Sequence, residues 1–236
     1  MLRVAVARVP AQPATGEAAA PAWLGESERV RWAQLAPVAR AAFVASRALL
    51  RALVSASTGA PQECWEVSAQ AGSGPSVRPL RAGIATRAIH ASLSHRSGWV
   101  AAAVADSPVG VDVELERPAC TDPRERAALM LSPAELDAWE SLPASAREAT
   151  LLTRWTAKEA WFKASPHQDA AWDFRRIAAR ACAPADANVR TWTSLPLHVA
   201  LCCTDAEALA RVGCDGLDAA RTLDGFWNVH RVAAAT

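Results

Sequence analysis

Alternating apolar and polar residues predict a series of short strands in this chain of 236 residues. The clearest series lies between residues 88 and 115, where the turn sequences HRSG and DSP separate three alternating segments. We interpret the series as an antiparallel meander, because connections this short allow neighbouring strands to pair. Its predicted strands are 88–94, 99–104 and 109–115. The same pattern predicts further strands before Pro10, at 64–70 and at 195–203.

Helical spacing of apolar residues predicts helices in two parts of the chain. The first part covers residues 26–54, and Pro37 divides it into two helices. In the second part, Ser132 and Glu135 have the spacing of a helix cap, and another helix covers about 145–164. Predicted loops and weakly patterned stretches are 11–22, 71–79, 165–190 and 204–236. Together these elements predict an α+β fold, with helices packed on antiparallel sheets.

Composition narrows the choice of partner and location. The net charge of +1 gives no reason to expect a nucleic-acid partner, and no apolar run approaches the roughly 18–20 residues of a membrane span. The start, MLRVAVARVP, lacks the apolar core of an export signal, so we expect a cytoplasmic protein. The six cysteines form no CxxC pair, which disfavours zinc and favours reduced, buried thiols.

The stretch GVDVE at 110–114 is the first candidate site. On a strand, Asp112 and Glu114 share one face, while Val111 and Val113 face the core. Two carboxylates this close repel each other unless water or a cation offsets their charge. Oxygen ligands suit a hard cation such as Mg²⁺. The alternative is an ordinary strand face exposed to water.

Two further stretches supply candidate groups. In RWTAKEAWFK, Glu159 and Lys163 are four residues apart and therefore share one helix face. An exposed helical ion pair would have the same spacing. In SLSHRSGW, His95 lies where a strand meets its turn, a place where functional residues are common. A half-buried turn histidine is the alternative there.

Taken together, these stretches resemble the 4'-phosphopantetheinyl transferase superfamily. Its members carry a G(I/V)D(I/V)E motif followed by (W/F)xxKE(A/S)xxK, which match Gly110 to Glu114 and Trp155 to Lys163. The SLSH segment resembles the sequence that precedes the first motif in the family. The chain length resembles the larger, surfactin-synthetase-type members.

The resemblance implies an enzyme that transfers the phosphopantetheine arm of coenzyme A to a serine of an acyl or peptidyl carrier protein. The by-product would be adenosine 3',5'-bisphosphate, and the cofactor Mg²⁺. The implied fold is a pseudo-two-fold pair of similar α+β subdomains, here 1–108 and 109–236, with the site in the cleft between them. A monomer is expected, because one chain supplies both halves.

The resemblance also implies roles for five side chains in the reaction. Asp112, Glu114 and Glu159 match the ligands of Mg²⁺. Glu159 also matches a base that removes the serine proton, and Glu135 is a second candidate for that role. Lys163 matches the lysine that protonates or neutralises the leaving phosphate.

Another five residues are expected to bind coenzyme A. His95 matches a histidine near the coenzyme A phosphates, with Ser94 beside it. Lys158 is expected either on the helix surface or in contact with phosphate. Arg40 and Arg47 are candidates for binding the 3'-phosphate, because arginine suits phosphate geometry. A solvent-exposed helix face would explain these two arginines equally well.

This sequence departs from the family pattern at two positions. Relatives carry GKP before the meander, with a lysine that contacts coenzyme A, whereas Gly74 stands there in this chain. Arg78 or Arg81 is a possible substitute. Arg96 stands where a serine is usual, and could contact phosphate or face solvent. A non-catalytic relative that binds coenzyme A or a carrier protein, and an unrelated metal-dependent phosphate-ester hydrolase, therefore stay open.

Overall fold

The computed structural model describes residues 1–10, 19–68, 74–80, 84, 88–116, 122–165 and 173–232. The helices are α1 Glu26–Gln34, α2 Pro37–Thr58, α3 Pro123–Met130, α4 Pro133–Glu140, α5 Ala144–Ala164 and α6 Ala206–Arg211. The strands are β1 Leu2–Arg8, β2 Trp65–Val67, β3 Val77–Pro79, β4 His90–Arg96, β5 Trp99–Ala105, β6 Val109–Leu115, β7 Ile177–Ala181, β8 Val189–Ser194, β9 Leu197–Cys203, β10 Cys214–Asp215 and β11 Leu223–Arg231. The α+β class is confirmed. In the ranges given, none of the helices combines the length and the hydropathy needed to cross a membrane.

One sheet is built around the predicted hairpin of β4 and β5. Its strand order is β10-β1-β5-β4, and α2 packs on it. Ser97 and Gly98 form the hairpin turn, with φ of 42° and 82°. Positive φ at both residues matches the twist of a two-residue hairpin. The turn therefore sets the register in which Arg96 opposes Trp99, at the same end of the hairpin as His95.

The third strand of the predicted meander does not pair with the second, so the prediction of a continuous meander is wrong. β6 pairs with β9 instead, at the edge of a second antiparallel sheet of order β6-β9-β8-β11-β7. The sequence DSP between β5 and β6 carries the chain from one sheet to the other. The edge strands β4 and β6 then lie against each other.

Helix α5 packs across β6 and β9 at unusually close range, and Gly110 makes this possible. A Cβ placed at Gly110 would overlap the backbone oxygen of Ala160 and lie 2.7 Å from the nitrogen of Ala164. Glycine is therefore needed here for close approach of two backbones. This contact brings α5 next to the alternating residues of β6.

Several elements differ from the sequence predictions. Residues 77–79, predicted as part of a loop, form a strand that pairs with β2. The weakly patterned stretches contain β7, β8, β10 and β11, which gain their stability from sheet pairing that a single segment does not reveal. The helices divided by Pro37 and the strands at residues 2–8 and 197–203 are confirmed. Residues 11–18 and 69–73 of the other predictions lie outside the described residues.

Candidate active site

A cavity of about 320 Å³ lies where β4 and β6 meet under α5. Its lining consists of Leu93, Ser94, His95, Asp112, Val113, Glu114, Trp155, Glu159 and Lys163. Six of the predicted site residues are among them: Ser94, His95, Asp112, Glu114, Glu159 and Lys163. Three elements that are distant in sequence therefore converge on one polar cavity.

Serine side chains join the two sheets beside this cavity. The hydroxyl of Ser92 accepts a hydrogen bond from the backbone N–H of Val111 at 3.0 Å, and that of Ser94 accepts one from Val113 at 3.3 Å. The hydroxyls thus take the place of strand carbonyls along the edge of β6. Because both valines are buried, satisfying their N–H groups holds β6 at a fixed distance from β4.

Asp112 is the most buried carboxylate of the cavity, at 5% exposure. Its Oδ1 accepts hydrogen bonds from the Ser94 hydroxyl at 2.8 Å and from Lys163 Nζ at 2.6 Å. Its Oδ2 is buried and has no hydrogen-bond partner among the described residues. A buried carboxylate oxygen without a partner is costly, so this atom marks a place where a ligand would be stabilised.

Glu114 lies two residues further along β6, on the same face as Asp112, as the alternation predicted. Arg96 forms an ion pair with it, with Nε 2.9 Å from Oε2, and Trp155 donates a side-chain hydrogen bond to it. The pKa of Glu114 is raised, mainly by burial and against the opposing effect of Arg96. The carboxylate is therefore held from two sides but poorly solvated.

Glu159 on α5 completes the acidic group. Burial and, after it, the negative charge of Asp112 raise the pKa of Glu159 to about 7, with a smaller contribution from Glu114 and an opposing effect of Lys163. The opposite is true of His95, whose pKa is lowered by burial and then by Lys163, Arg47 and Arg96. The cavity therefore holds a carboxyl group and an imidazole that are both easily kept neutral.

The three acidic side chains suit a divalent cation but are not yet arranged around one. Within the described ranges, no group of three or more His, Cys, Asp or Glu side chains is close enough to hold a metal ion. Lys163 forms an ion pair with Oδ1 of Asp112, and Arg96 forms one with Glu114. The unpartnered Oδ2 of Asp112 and the raised pKa of Glu159 nevertheless both indicate negative charge that a hard cation would relieve. The donor atoms that line the cavity are therefore of the type that Mg²⁺ prefers.

Glu135 and Lys158 are not brought to the cavity. Lys158 Nζ is fully buried and lies 2.5 Å from Glu135 Oε2, and it also donates to the backbone oxygen of Met130 at 2.9 Å. The other oxygen of Glu135 accepts the backbone N–H of Ala179 at 2.8 Å. Burial and Lys158 act on the pKa of Glu135 in opposite directions, and the net effect lowers it. This geometry fits a pair that ties α4, α5 and β7 together, and it gives no support to the predicted roles of base and phosphate contact.

The two candidate arginines of α2 have different surroundings. Arg40 donates to the backbone oxygen of Leu35 at 3.1 Å and lies over the ring of Trp32. Neither arginine lines the cavity, but Arg47 is close enough for its charge to lower the pKa of His95. The Nε of Arg47 is buried and finds no hydrogen-bond partner in the described ranges, although Glu28 Oε1 lies 3.6 Å away. Arg47 is therefore the better placed of the two to meet an anion near the cavity.

Sequence reasoning missed part of the role of four residues at this site. Gly110 and Trp155 were identified only as positions that match the family motifs. The motifs did not reveal that Gly110 admits the backbone of α5 or that Trp155 donates a hydrogen bond to Glu114. Ser92 carried no signal apart from sharing a strand face with Ser94. Arg96 was expected to contact phosphate or to face solvent, and the structure shows instead that it forms an ion pair with Glu114.

Arg78 and Arg81 were the predicted substitutes for the lysine that Gly74 replaces, and the described residues show neither of them lining the cavity. Arg78 forms an ion pair with Glu66, and its side chain is 74% exposed. Arg81 lies outside the described residues. No atom of the described residues lies within 4 Å of a Cβ added at Gly74.

Comparison with known proteins agrees with this site. Residues 108–211 match the family model of the 4'-phosphopantetheinyl transferase superfamily, a segment that contains both β6 and α5. This part of the chain is therefore similar to that superfamily, as the two motifs predicted. A curated relative, 4'-phosphopantetheinyl transferase psf-1 of Bacillus pumilus, is 32% identical over 120 residues. The aligned part is 51% of this chain and 48% of the relative, so the chain spans about half the length of the curated relative it matches.

Proposed function

We propose that this protein transfers the 4'-phosphopantetheine arm of coenzyme A to a serine of an acyl or peptidyl carrier protein, with Mg²⁺ as cofactor. The observation that carries the proposal is the convergence of Asp112, Glu114, Glu159 and Lys163 on one cavity. These residues come from the two family motifs, and the fold brings them together across β6 and α5.

The reaction requires charge to be neutralised on a diphosphate. The serine oxygen forms a bond to the phosphorus nearest the pantetheine, the bond to the bridging oxygen breaks, and adenosine 3',5'-bisphosphate leaves. Mg²⁺ held by Asp112, Glu114 and Glu159 would supply positive charge to the phosphate oxygens. Lys163 is placed to neutralise the negative charge of the leaving phosphate, since its ammonium group already faces the cavity.

The serine hydroxyl must also lose its proton. Glu159 is the candidate that accepts it, because its carboxyl group lines the cavity and its pKa is raised to about 7 in the metal-free protein. We prefer it to Glu135, whose two oxygens are already engaged away from the cavity. His95, with its lowered pKa, stays neutral and can donate one hydrogen bond to a phosphate oxygen.

Other features implied by the resemblance are part of the proposal. We expect coenzyme A to place its 3'-phosphate near Arg47, and the carrier serine to enter the cavity opposite it. The division at residues 108 and 109, the pseudo-two-fold relation of the halves and a cleft between them are consistent with a cavity that lies between two sheets. A monomeric state and a cytoplasmic location complete the proposal.

Intact mass spectrometry of a carrier protein tests the activity. With coenzyme A and Mg²⁺, wild type should add one phosphopantetheine to the carrier serine. Asp112→Asn and Glu159→Gln should abolish the gain in mass. Glu207→Gln removes a carboxylate that is 78% exposed on α6 and should leave the rate unchanged. Absence of any gain with acyl and peptidyl carriers would refute the proposal.

A non-catalytic relative is the second candidate, and one observation favours it. The carboxylates Asp112 and Glu114 are already paired with Lys163 and Arg96, which would suit a protein that binds coenzyme A without a metal. Binding of coenzyme A that is insensitive to Mg²⁺, with no transfer to any carrier, would support this candidate.

A further inference from the structure

The ion pair between Arg96 and Glu114 places a protein cation on a proposed metal ligand. Arg96 Nε lies 2.9 Å from Glu114 Oε2, and the two side chains are 35% and 14% exposed. We propose that Arg96 is a resident counterion of Glu114, which a divalent cation must displace before it can use this carboxylate. The inference rests on the proposed function, because it assumes that Glu114 is a metal ligand.

Charge in the cavity explains why such a counterion is needed. Three carboxylates lie within one small cavity, and Lys163 is bound to Asp112, which leaves Glu114 to be balanced by another cation. A partly buried carboxylate without a nearby cation is unfavourable. Arg96 supplies that charge from the neighbouring strand.

The geometry of the pair indicates that it can open. Within the part of the chain that the structure describes, the N–H of Arg96 Nε has no hydrogen-bond partner, so this group contacts Glu114 by charge without a well-directed hydrogen bond there. Arg96 is the last residue of β4 and precedes the turn residues Ser97 and Gly98. Trp155 would continue to hold the carboxylate of Glu114 after Arg96 has left.

Displacement leaves the guanidinium group at the rim of the cavity beside His95. A free arginine there faces the place where an anionic substrate must enter, and arginine binds phosphate oxygens in pairs. The metal-free protein therefore uses Arg96 to balance Glu114, whereas the metal-bound protein has it available for substrate.

Equilibrium binding of Mn²⁺, followed by electron paramagnetic resonance of the free ion, tests this inference without measuring activity. Arg96→Ala should bind Mn²⁺ about three- to tenfold more tightly than wild type, because the ion no longer competes with a partly buried pair. Arg96→Lys keeps the positive charge and should show a smaller gain. Arg78→Ala removes an arginine outside the cavity and should bind Mn²⁺ like wild type.

A double-mutant cycle shows whether the effect passes through Glu114. In a Glu114→Gln background, the substitution of Arg96 by alanine should change Mn²⁺ affinity by less than about twofold. Equal or weaker binding by Arg96→Ala, with normal binding by wild type, would overturn the inference and leave the proposed metal site intact. Absence of Mn²⁺ binding in wild type and Arg96→Ala alike would overturn both. Circular dichroism of each variant excludes unfolding as the cause.

Discussion

Replacement of Gly110 by alanine tests the contact that brings α5 to β6. The added Cβ would overlap the Ala160 oxygen and lie 2.7 Å from the Ala164 nitrogen, whereas ordinary contact begins at 3.4 Å. Both obstructing atoms belong to the backbone, so no side chain can rotate away. At Ala164 the helix must therefore withdraw by at least about 0.7 Å, and by more at Ala160. Overpacking of this kind costs about 1–3 kcal/mol of the free energy of unfolding.

The same movement should affect the site more than the stability. Lys163 precedes Ala164 directly, and its Nζ lies 2.6 Å from Asp112 Oδ1. Withdrawal of the helix stretches this contact and moves Glu159 away from β6. A displacement of about 1 Å at an active site can lower the rate by about 10²-fold. We therefore expect Gly110→Ala to remain folded but to transfer phosphopantetheine far more slowly.

Urea denaturation and the carrier mass assay together measure these two effects. Gly213→Ala is the matched control, because no atom of the residues that the structure describes lies within 4 Å of a Cβ at that position. Its free energy of unfolding should stay within about 1 kcal/mol of wild type. Wild-type stability and wild-type transfer rate in Gly110→Ala would refute the proposed close approach of helix and strand.

Three further predictions concern the charged groups. Lys158→Met should lower the free energy of unfolding by about 3–5 kcal/mol, because it leaves Glu135 buried without its cation. A loss below about 1 kcal/mol in urea denaturation would show that the buried ion pair does not stabilise the protein. Burial raises the pKa of Glu159 from 4.5 to about 7, so the metal-free protein should lose stability as pH rises through this range. Over the same pH range the Mg²⁺ affinity measured by calorimetry should increase, because Glu159 must release its proton to bind the ion. An affinity that does not depend on pH would be evidence against Glu159 as a ligand. The chain has only two lysines and Lys158 is fully buried, so acetylation located by peptide mass spectrometry should report on Lys163 separately from the α-amine of Met1. Metal binding at Asp112 should increase acetylation of Lys163, and unchanged or reduced labelling would indicate that the ion does not compete for that carboxylate.

Local pattern was enough to predict the parts of the site that a single element supplies. Period-two alternation placed Asp112 and Glu114 on one face of β6, and helical spacing placed Glu159 and Lys163 on one face of α5. The meeting of these faces came from the family resemblance, because neither segment contains information about its partner. The structure supplies the reason for that meeting in Gly110, whose missing side chain admits the helix backbone.

Long-range partners are what the sequence could not reveal. The turn at DSP has the same appearance whether β6 continues the first sheet or crosses to β9, and only the structure distinguishes the two. Lys158 and Glu135 carry the residue types of a catalytic pair, yet 23 residues separate them and their burial together is a tertiary property. The pairing of Arg96 with Glu114 is of the same kind, since it depends on two strands that belong to different sheets.

Anomalous diffraction from crystals grown with Mn²⁺ and coenzyme A gives the most direct test of how the two motifs act together. We expect a manganese peak in the cavity between β6 and α5, with oxygens of Asp112, Glu114 and Glu159 as its protein ligands and the diphosphate of coenzyme A beside it. A bound coenzyme A with no manganese peak in this cavity, or a peak that contacts neither Asp112 nor Glu159, would refute the proposed metal site.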